Sequence, residues 1–296
     1  MSRPFAVLML LTTTLLWGFA FVAQKTAMDA MGPMTFNAAR YWIGGLAILP
    51  LAIWEYRRVR KPIPREQWLP IAILCISFFA GVTLQQTGLI LTTVTNSGFL
   101  TSLYVIFTPL LALAVWRQYP HPAVWPCAIA ALVGVYCLNG ARLDSFNLGD
   151  LLVIGCALSW TVQVLVVGRI SKATGLPVTI SILCFLTTAA ASSVGALAFE
   201  TPTIAGIGRG WIELLYAGLL STAVAFTFQA IGQQYLPPAN AAIILSAEGL
   251  FAAIGGAIIL GERLTPIGYT GAAMIFLSIV VVEAVPALRP PQKIAP

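Results

Sequence analysis

Residues 85–107, QQTGLILTTVTNSGFLTSLYVIF, and residues 229–251, QAIGQQYLPPANAAIILSAEGLF, are two copies of one pattern at a constant offset of 144. Gln85 matches Gln229, Gly88 matches Gly232 and Asn96 matches Asn240. Ser102 matches Ser246 and Phe107 matches Phe251. The register extends outward to Ser77 with Ser221 and to Pro122 with Pro266. The copies are mostly apolar, and the very short connection from Thr92 to Asn96 forces an antiparallel hairpin. Doubled membrane halves with a path between them are a transporter plan.

Composition sets the solvent. The chain has 296 residues, 59% hydrophobic and 9% charged, with a mean hydropathy of +0.90. A soluble domain carries about 25% charged residues, so this chain is expected in a bilayer. A spanning helix needs roughly 20 apolar residues. Ten spans follow, at about 5–25, 35–54, 68–91, 95–116, 122–139, 149–169, 177–199, 210–234, 238–260 and 266–285. Gly32-Pro33, Pro62 and Pro64, Pro120 and Pro122, Pro237-Pro238 and Pro266 separate them. No stretch remains for a soluble domain, and no GxxxxGK[ST] loop points to an ATP-driven pump. Cys75, Cys127, Cys137, Cys156 and Cys184 all fall in apolar spans and read as packing residues, not disulfides or metal ligands. No cofactor, metal or catalytic group is expected.

Five spans per half is an odd number, so the second half must be inverted relative to the first. The expected fold is an all-α integral membrane protein of ten transmembrane helices in two inverted five-helix repeats. The repeats cover residues 1–140 and 149–288, and a cytoplasmic tail covers 289–296. With the N-terminus in the cytoplasm, Arg3, Arg57, Arg58, Arg60, Lys61, Arg65, Arg117, Arg169, Lys172, Arg289 and Lys293 lie on that side. Only Lys25, Arg142, Arg209 and Arg263 lie opposite. This positive-inside excess puts both termini in the cytoplasm. The net charge of +6 is thus topogenic, and no nucleic-acid partner is expected. Arg3 and the run after it resemble a secretory signal. The run is about 20 residues long, contains Trp17 and leads straight into a second span, so it reads as the first helix.

Glu248 is the strongest single signal. It sits mid-span in SAEGLFAAIGGAIILGE (246–262), where an ionisable group costs on the order of 2.5–3.5 kcal/mol. It must face an aqueous cavity, find a partner, or be protonated and hydrogen-bonded to a neighbouring helix. Its repeat mate is Tyr104. Arg40, in TFNAARYWIGG (35–45), has Cys184 as its mate, so this charge is present in one half only. Snorkelling or a structural pair is favoured for it over Glu248 or an anionic substrate group. Asn37, one turn earlier on the same face, supports it. Lys25, Asn37 and Arg40 are candidates for gating or structural roles.

Amides and aromatics share helix faces. Gln24, Gln85, Gln86, Gln163 and Gln229 lie within spans, where interhelical amide bonds are ordinary glue. As repeat mates, Gln85 and Gln229 should approach a common axis from opposite sides. Trp17, Phe21 and Gln24 share a face of span one, and Trp160, Gln163 and Val167 share one of span six. Ser97, Thr101, Tyr104 and Thr108 form a polar stripe on span four; Thr222, Phe226 and Gln229 form one on span eight. Such stripes turn away from lipid. They predict a cavity whose substrate-binding residues are Trp17, Phe21, Gln24, Gln85, Ser97, Tyr104, Trp160, Gln163, Gln229 and Glu248. That chemistry suits an amphipathic small molecule, with an aromatic or aliphatic part on the rings and a cationic group at Glu248 or an aromatic face. Asn96 and Asn240 read as caps at the starts of spans four and nine. Trp68, Trp125 and Trp211 read as interface belts. Ala252, Gly256 and Gly261 read as close-packing residues.

LLWGFAFVAQK (15–25), Arg40 in span two, and ILGERLTPIGYTGAAMIFLSIVV (259–281) resemble the drug/metabolite transporter superfamily. The closest type is its ten-helix, EamA-like exporters, with the signature at Gly261 to Thr265 the most specific piece. The first half departs from it, with WRQYP (116–120) where Gly-Glu would stand, and Pro109 has Ala253 as its mate. Within the superfamily the chain is most similar to aromatic-amino-acid exporters of the bacterial inner membrane. The resemblance implies alternating access and export of amino acids. It also implies a cavity lined mainly by spans one, three, four, six, eight and nine.

The expected function is export of amino acids, aromatic and other neutral ones such as tryptophan, phenylalanine, methionine and threonine. The partners are then a small-molecule substrate and the lipid bilayer, and one chain suffices for the path. A multidrug or organic-cation exporter of the same superfamily is the alternative. An intramembrane enzyme is disfavoured, since the sole histidine, His121, lies in a turn and no HExxH or paired-Asp pattern exists.

Overall fold

The apolar runs all become helices. The computed structural model describes residues 1–92, 94–138, 141, 147–259 and 264–288. Eight helices are long and apolar enough to cross a membrane, and the two shorter apolar helices starting at Val124 and Pro238 complete ten. There is no strand among the described residues. Arg142, the Glu262-Arg263 turn, most of the 261–265 signature, the 289–296 tail and the surroundings of Asn96 and Gly256 lie outside them.

Span one is Arg3–Ala27, span two Pro33–Val59, span three Trp68–Leu91 and span five Val124–Leu138. Span six is Leu148–Thr174, span seven Pro177–Phe199 and span ten Pro266–Leu288. Pro33 and Pro177, themselves repeat mates, each open a helix at its first turn, where the missing N–H is no loss. Span six opens on a capping box between Asn147 and Asp150 and closes at Gly175, at φ 68°.

The surface is the inverse of a soluble protein. Leu197, Leu69 and Ile76 are largely exposed, while Gln24, Gln85, Gln163 and Gln229 are buried. Only a solvent that cannot hydrogen-bond favours that exchange, so the chain is a multi-pass membrane protein.

Inversion is written into reciprocal caps. Glu200, at the end of span seven, accepts from the backbone N–H of Met34 (2.7 Å) and Thr35 (2.8 Å) and from the Thr35 hydroxyl (2.6 Å). Glu55, near the end of span two, accepts from Val178 N–H (3.1 Å), Thr179 N–H (2.7 Å) and the Thr179 hydroxyl (2.8 Å). Each helix end thus satisfies the unpaired donors at the start of the other. The arrangement requires spans two and seven to run antiparallel, as an inverted repeat does.

Spans four and nine are broken at equivalent points. Span four is Val94–Thr101 followed by Tyr104–Trp116, and span nine is Pro238–Leu245 followed by Glu248–Ile259. At the break, Leu103 N–H bonds Leu100 O (3.2 Å) and Val105 N–H bonds Ser102 O (3.0 Å). In span nine, the repeat mates Ala247 N–H to Ile244 O (3.1 Å) and Gly249 N–H to Ser246 O (3.3 Å) do the same. The hydroxyls of Ser102 and Ser246 bond back to Gly98 O and Ile243 O, a habit that bends helices. Span eight differs from its mate: between Trp211–Leu215 and Thr227–Gly232 it is a π-helix, Tyr216–Phe226. π-Segments are frequent at functional sites.

Small residues let the halves close on each other. A side chain at Gly18 would meet Ala252 N at 2.6 Å, and one at Gly88 would meet Val153 Cγ2 at 2.7 Å. Asn240 does not cap span nine, as its sequence position suggested. It lies inside the first turn and donates to Val282 O (3.1 Å) and Glu283 Oε1 (3.0 Å), tying span nine to span ten.

Cys75 and Cys184 lie 3.8 Å apart, sulfur to sulfur, on spans three and seven of opposite halves. Copper phenanthroline should take one electron from each thiolate and join them within one chain. The five free thiols should fall to three by thiol titration in denaturant, and Cys75→Ser should block the change.

Candidate functional site

Between the halves lies a cavity lined by Trp17, Phe21, Gln24, Arg40, Gln85, Thr101, Tyr104, Trp160, Gln163, Val164, Ser221, Phe226, Gln229, Leu245 and Glu248. Nine of the ten residues read from the sequence as substrate contacts are therefore neighbours in space. The cavity volume open to water is about 40 Å³. One water needs roughly 10–15 Å³ on that measure. The cavity as it stands takes a few waters, and a bulky solute would have to part its walls.

The axis of the repeat runs through it. Tyr104 Oη donates to Glu248 Oε1 across 3.5 Å. These residues are repeat mates, and mates in contact must lie astride the pseudo-two-fold axis. Each is also the first residue of the half-helix after a break, so the breaks place both at the centre. Glu248 begins Glu248–Ile259, where the aligned N–H groups favour a negative charge.

One wall is aromatic. Trp17 and Trp160 lie against Phe226, with ring centroids 4.6 and 5.7 Å away. Phe78 meets Trp160 edge-on at 5.6 Å. Trp17 Nε1 donates to Ser221 O in the π-helix (3.1 Å), leaving its ring face for packing.

The amides divide. Gln163 and Gln229 pair with each other, Nε2 to Oε1 in both directions, at 2.9 and 3.1 Å. Each still keeps one N–H. Gln229→Leu should leave the buried Gln163 amide unpaired and cost about 1–3 kcal/mol, read as a lower melting temperature in detergent. Gln24 Oε1 has no partner. Gln86 lies outside the cavity and donates to Gln24 O (3.2 Å).

Arg40 departs from the favoured expectation. It does not snorkel, being only 3% exposed. It forms no ion pair, for Arg3 with Glu283 is the only one among the described residues. Its guanidinium donates to Tyr41 Oη (3.1 Å), lies over the Tyr41 and Phe36 rings (4.6 and 5.2 Å), and keeps Nε without a partner.

Three other candidates sit elsewhere. Ser97 is buried with its hydroxyl unpartnered, away from the cavity. Asn37 donates to Val82 O (3.3 Å), holding span two to span three and leaving Arg40 unsupported. Lys25 is exposed and donates to Leu89 O (3.3 Å). Thr101, Val164, Ser221, Phe226 and Leu245 join the lining beyond the expected set. The stripes had already carried Thr101 and Phe226, and the repeat had carried Ser221. His121 accepts from Ala123 N–H within its turn (3.2 Å). No cluster of three metal-binding side chains occurs among the described residues.

The sequence matches the EamA-like transporter family twice, over residues 4–140 and 147–284. The chain belongs to that family. This EamA-like transporter is 33% identical to an uncharacterized transporter of Archaeoglobus fulgidus over 286 residues, 95% of this chain and 87% of the relative. It is 26% identical to the threonine/homoserine exporter RhtA of Escherichia coli K12 over 276 residues, 88% of this chain and 85% of RhtA. A solved crystal structure superposes with a TM-score of 0.81 at 21% identity, covering 97% of this chain and 100% of its own. That likeness shows the fold. Family members are transporters, so the cavity belongs to a membrane transporter of small molecules.

Proposed function

We propose that this EamA-like transporter exports neutral amino acids from the cytoplasm across a bacterial inner membrane. The observation that carries the proposal is the cavity on the repeat axis, with aromatic walls and a carboxylate, Glu248, at its centre. Trp17, Phe21, Trp160 and Phe226 take the apolar part of the substrate. Gln24, Gln85, Tyr104, Gln163, Gln229 and Glu248 take its polar part. RhtA, similar over most of both chains, exports threonine and homoserine, which supports amino acids as the class and extends it beyond aromatic ones.

The two repeats, 1–140 and 149–288, rock about the axis to expose the cavity alternately. The narrow cavity supports such motion, since a tryptophan needs the rings to separate. The N-terminus lies in the cytoplasm. Contacts agree on which ends share a side: Arg3 with Glu283 (2.9 Å), and Arg169 over the Trp116 ring (4.0 Å).

Uptake of labelled tryptophan, phenylalanine, methionine, threonine and glutamate into proteoliposomes, with no ion gradient, tests the proposal. Saturable equilibration of the neutral members and none of glutamate is expected. Flux of tetraphenylphosphonium with no amino-acid flux would favour the organic-cation alternative, which Glu248 and the rings also suit.

A further inference from the structure

Two buried ionisable side chains, one basic and one acidic, line one cavity and form no ion pair with each other. Among the described residues Arg40 has no carboxylate partner, and its Nε is unsatisfied. Glu248 is 7% exposed, and among the described residues its carboxylate meets only the long hydrogen bond from Tyr104. A buried charge without a counter-charge is strongly unfavourable, so the Arg40 guanidinium awaits an anion, and Glu248 is either protonated or neutralised by an arriving cation. Two further buried polar atoms on the same lining, Gln24 Oε1 and Thr101 Oγ1, also lack partners.

From this we infer that the cavity reads a zwitterion: Arg40 takes the carboxylate of the substrate, while Glu248, with Gln24, takes its ammonium group. The inference rests on the amino-acid reading above and sharpens it. An ammonium has three donors and needs acceptors, which Glu248 and Gln24 Oε1 provide. A carboxylate needs donors, which the Arg40 fork provides. A simple organic cation would satisfy Glu248 but leave Arg40 unbalanced. A simple organic anion would do the reverse. Only a ligand bearing both charges neutralises the site, and its side chain then lies on the aromatic wall. Arg40 is thus the residue that excludes amines, a role snorkelling would have denied it.

The test is competition against labelled phenylalanine and threonine uptake in proteoliposomes of the full chain. The competitors each lack one charge: 2-phenylethylamine and 3-phenylpropionate, then 1-amino-2-propanol and 3-hydroxybutyrate. Each should compete at least about 30-fold more weakly than the parent amino acid, the lower end expected when one buried charge loses its partner. Arg40→Gln should narrow the gap between phenylalanine and 2-phenylethylamine by a similar factor while leaving the gap for 3-phenylpropionate. Amines competing within threefold of their parents in the wild-type protein would overturn the zwitterion site and leave the transporter standing. Absence of any amino-acid flux would overturn both.

Discussion

Glu248→Gln should lower saturable amino-acid flux by at least about 30-fold, with little change in stability. Glutamine matches the size of glutamate and can still accept from Tyr104 Oη. What it removes is the capacity to carry a negative charge at the centre of the cavity when a cationic group arrives. Loss of one partner from a buried charge pair costs about 2–5 kcal/mol, and each 1.4 kcal/mol is a factor of ten in affinity. Tyr104→Phe should cost only a few-fold, because a 3.5 Å hydrogen bond is near the long limit for such contacts. Initial-rate uptake at matched protein incorporation separates the two variants. Normal flux in Glu248→Gln would remove this carboxylate from the binding site.

The second large effect is on stability. Glu55→Ala should destabilise the protein by about 3 kcal/mol, because two backbone N–H groups lose their acceptor together and the Thr179 hydroxyl keeps only a long bond to Ala52 O (3.5 Å). Glu55 is only 8% exposed, so water cannot replace it fully. Glu200→Ala removes the same three bonds at the other end of the helix pair. Glu200 is half-buried, and the cost should be smaller, about 1–2 kcal/mol. Gly32→Ala should reproduce it, since a methyl group there would occupy the position of the Glu200 carboxylate. Thermal unfolding in detergent provides the comparison. The double variant should show the sum, the two caps being at opposite ends of the helices. Equal stability of Glu55→Ala and the parent would show that these caps contribute nothing.

Much of this was legible in the residues. The offset of 144 and the apolar runs contain the ten helices in two repeats, and the polar stripes contain most of the cavity. What escaped has identifiable causes. Ser97 shares a stripe with Tyr104 only on an unbroken helix. The helix is interrupted between Thr101 and Tyr104, and Ser97, before the break, is not among the residues lining the cavity. No proline or glycine lies between Thr101 and Tyr104, and Pro109, inside the second half-helix, has no counterpart in span nine. The only sign of the break is a serine at equivalent places, Ser102 and Ser246, and serine is common in membrane helices. For Arg40 the sequence favours the interface or a structural pair, because a lone charge usually finds water or a counter-charge. Its aromatic neighbours, Phe36 and Tyr41, lie on its own helix but are not obvious partners without coordinates. The caps were missed because Glu55 and Glu200 stand one residue off the offset. The matched targets, Thr35 and Thr179 behind Pro33 and Pro177, were the available clue.

The contact between Tyr104 and Glu248 also bears on why the two halves share one polypeptide. A residue beside a true two-fold axis faces an identical copy of itself. Two separate half-chains assembled as a symmetric dimer would therefore place glutamate against glutamate, or tyrosine against tyrosine, at the centre of the membrane. The first would set like charges together, and the second would leave no charge at all. Joining the halves in one gene frees each position to hold a different side chain. A polar directionality at mid-membrane, donor on one side and acceptor on the other, is open to the fused chain and closed to its symmetric counterpart.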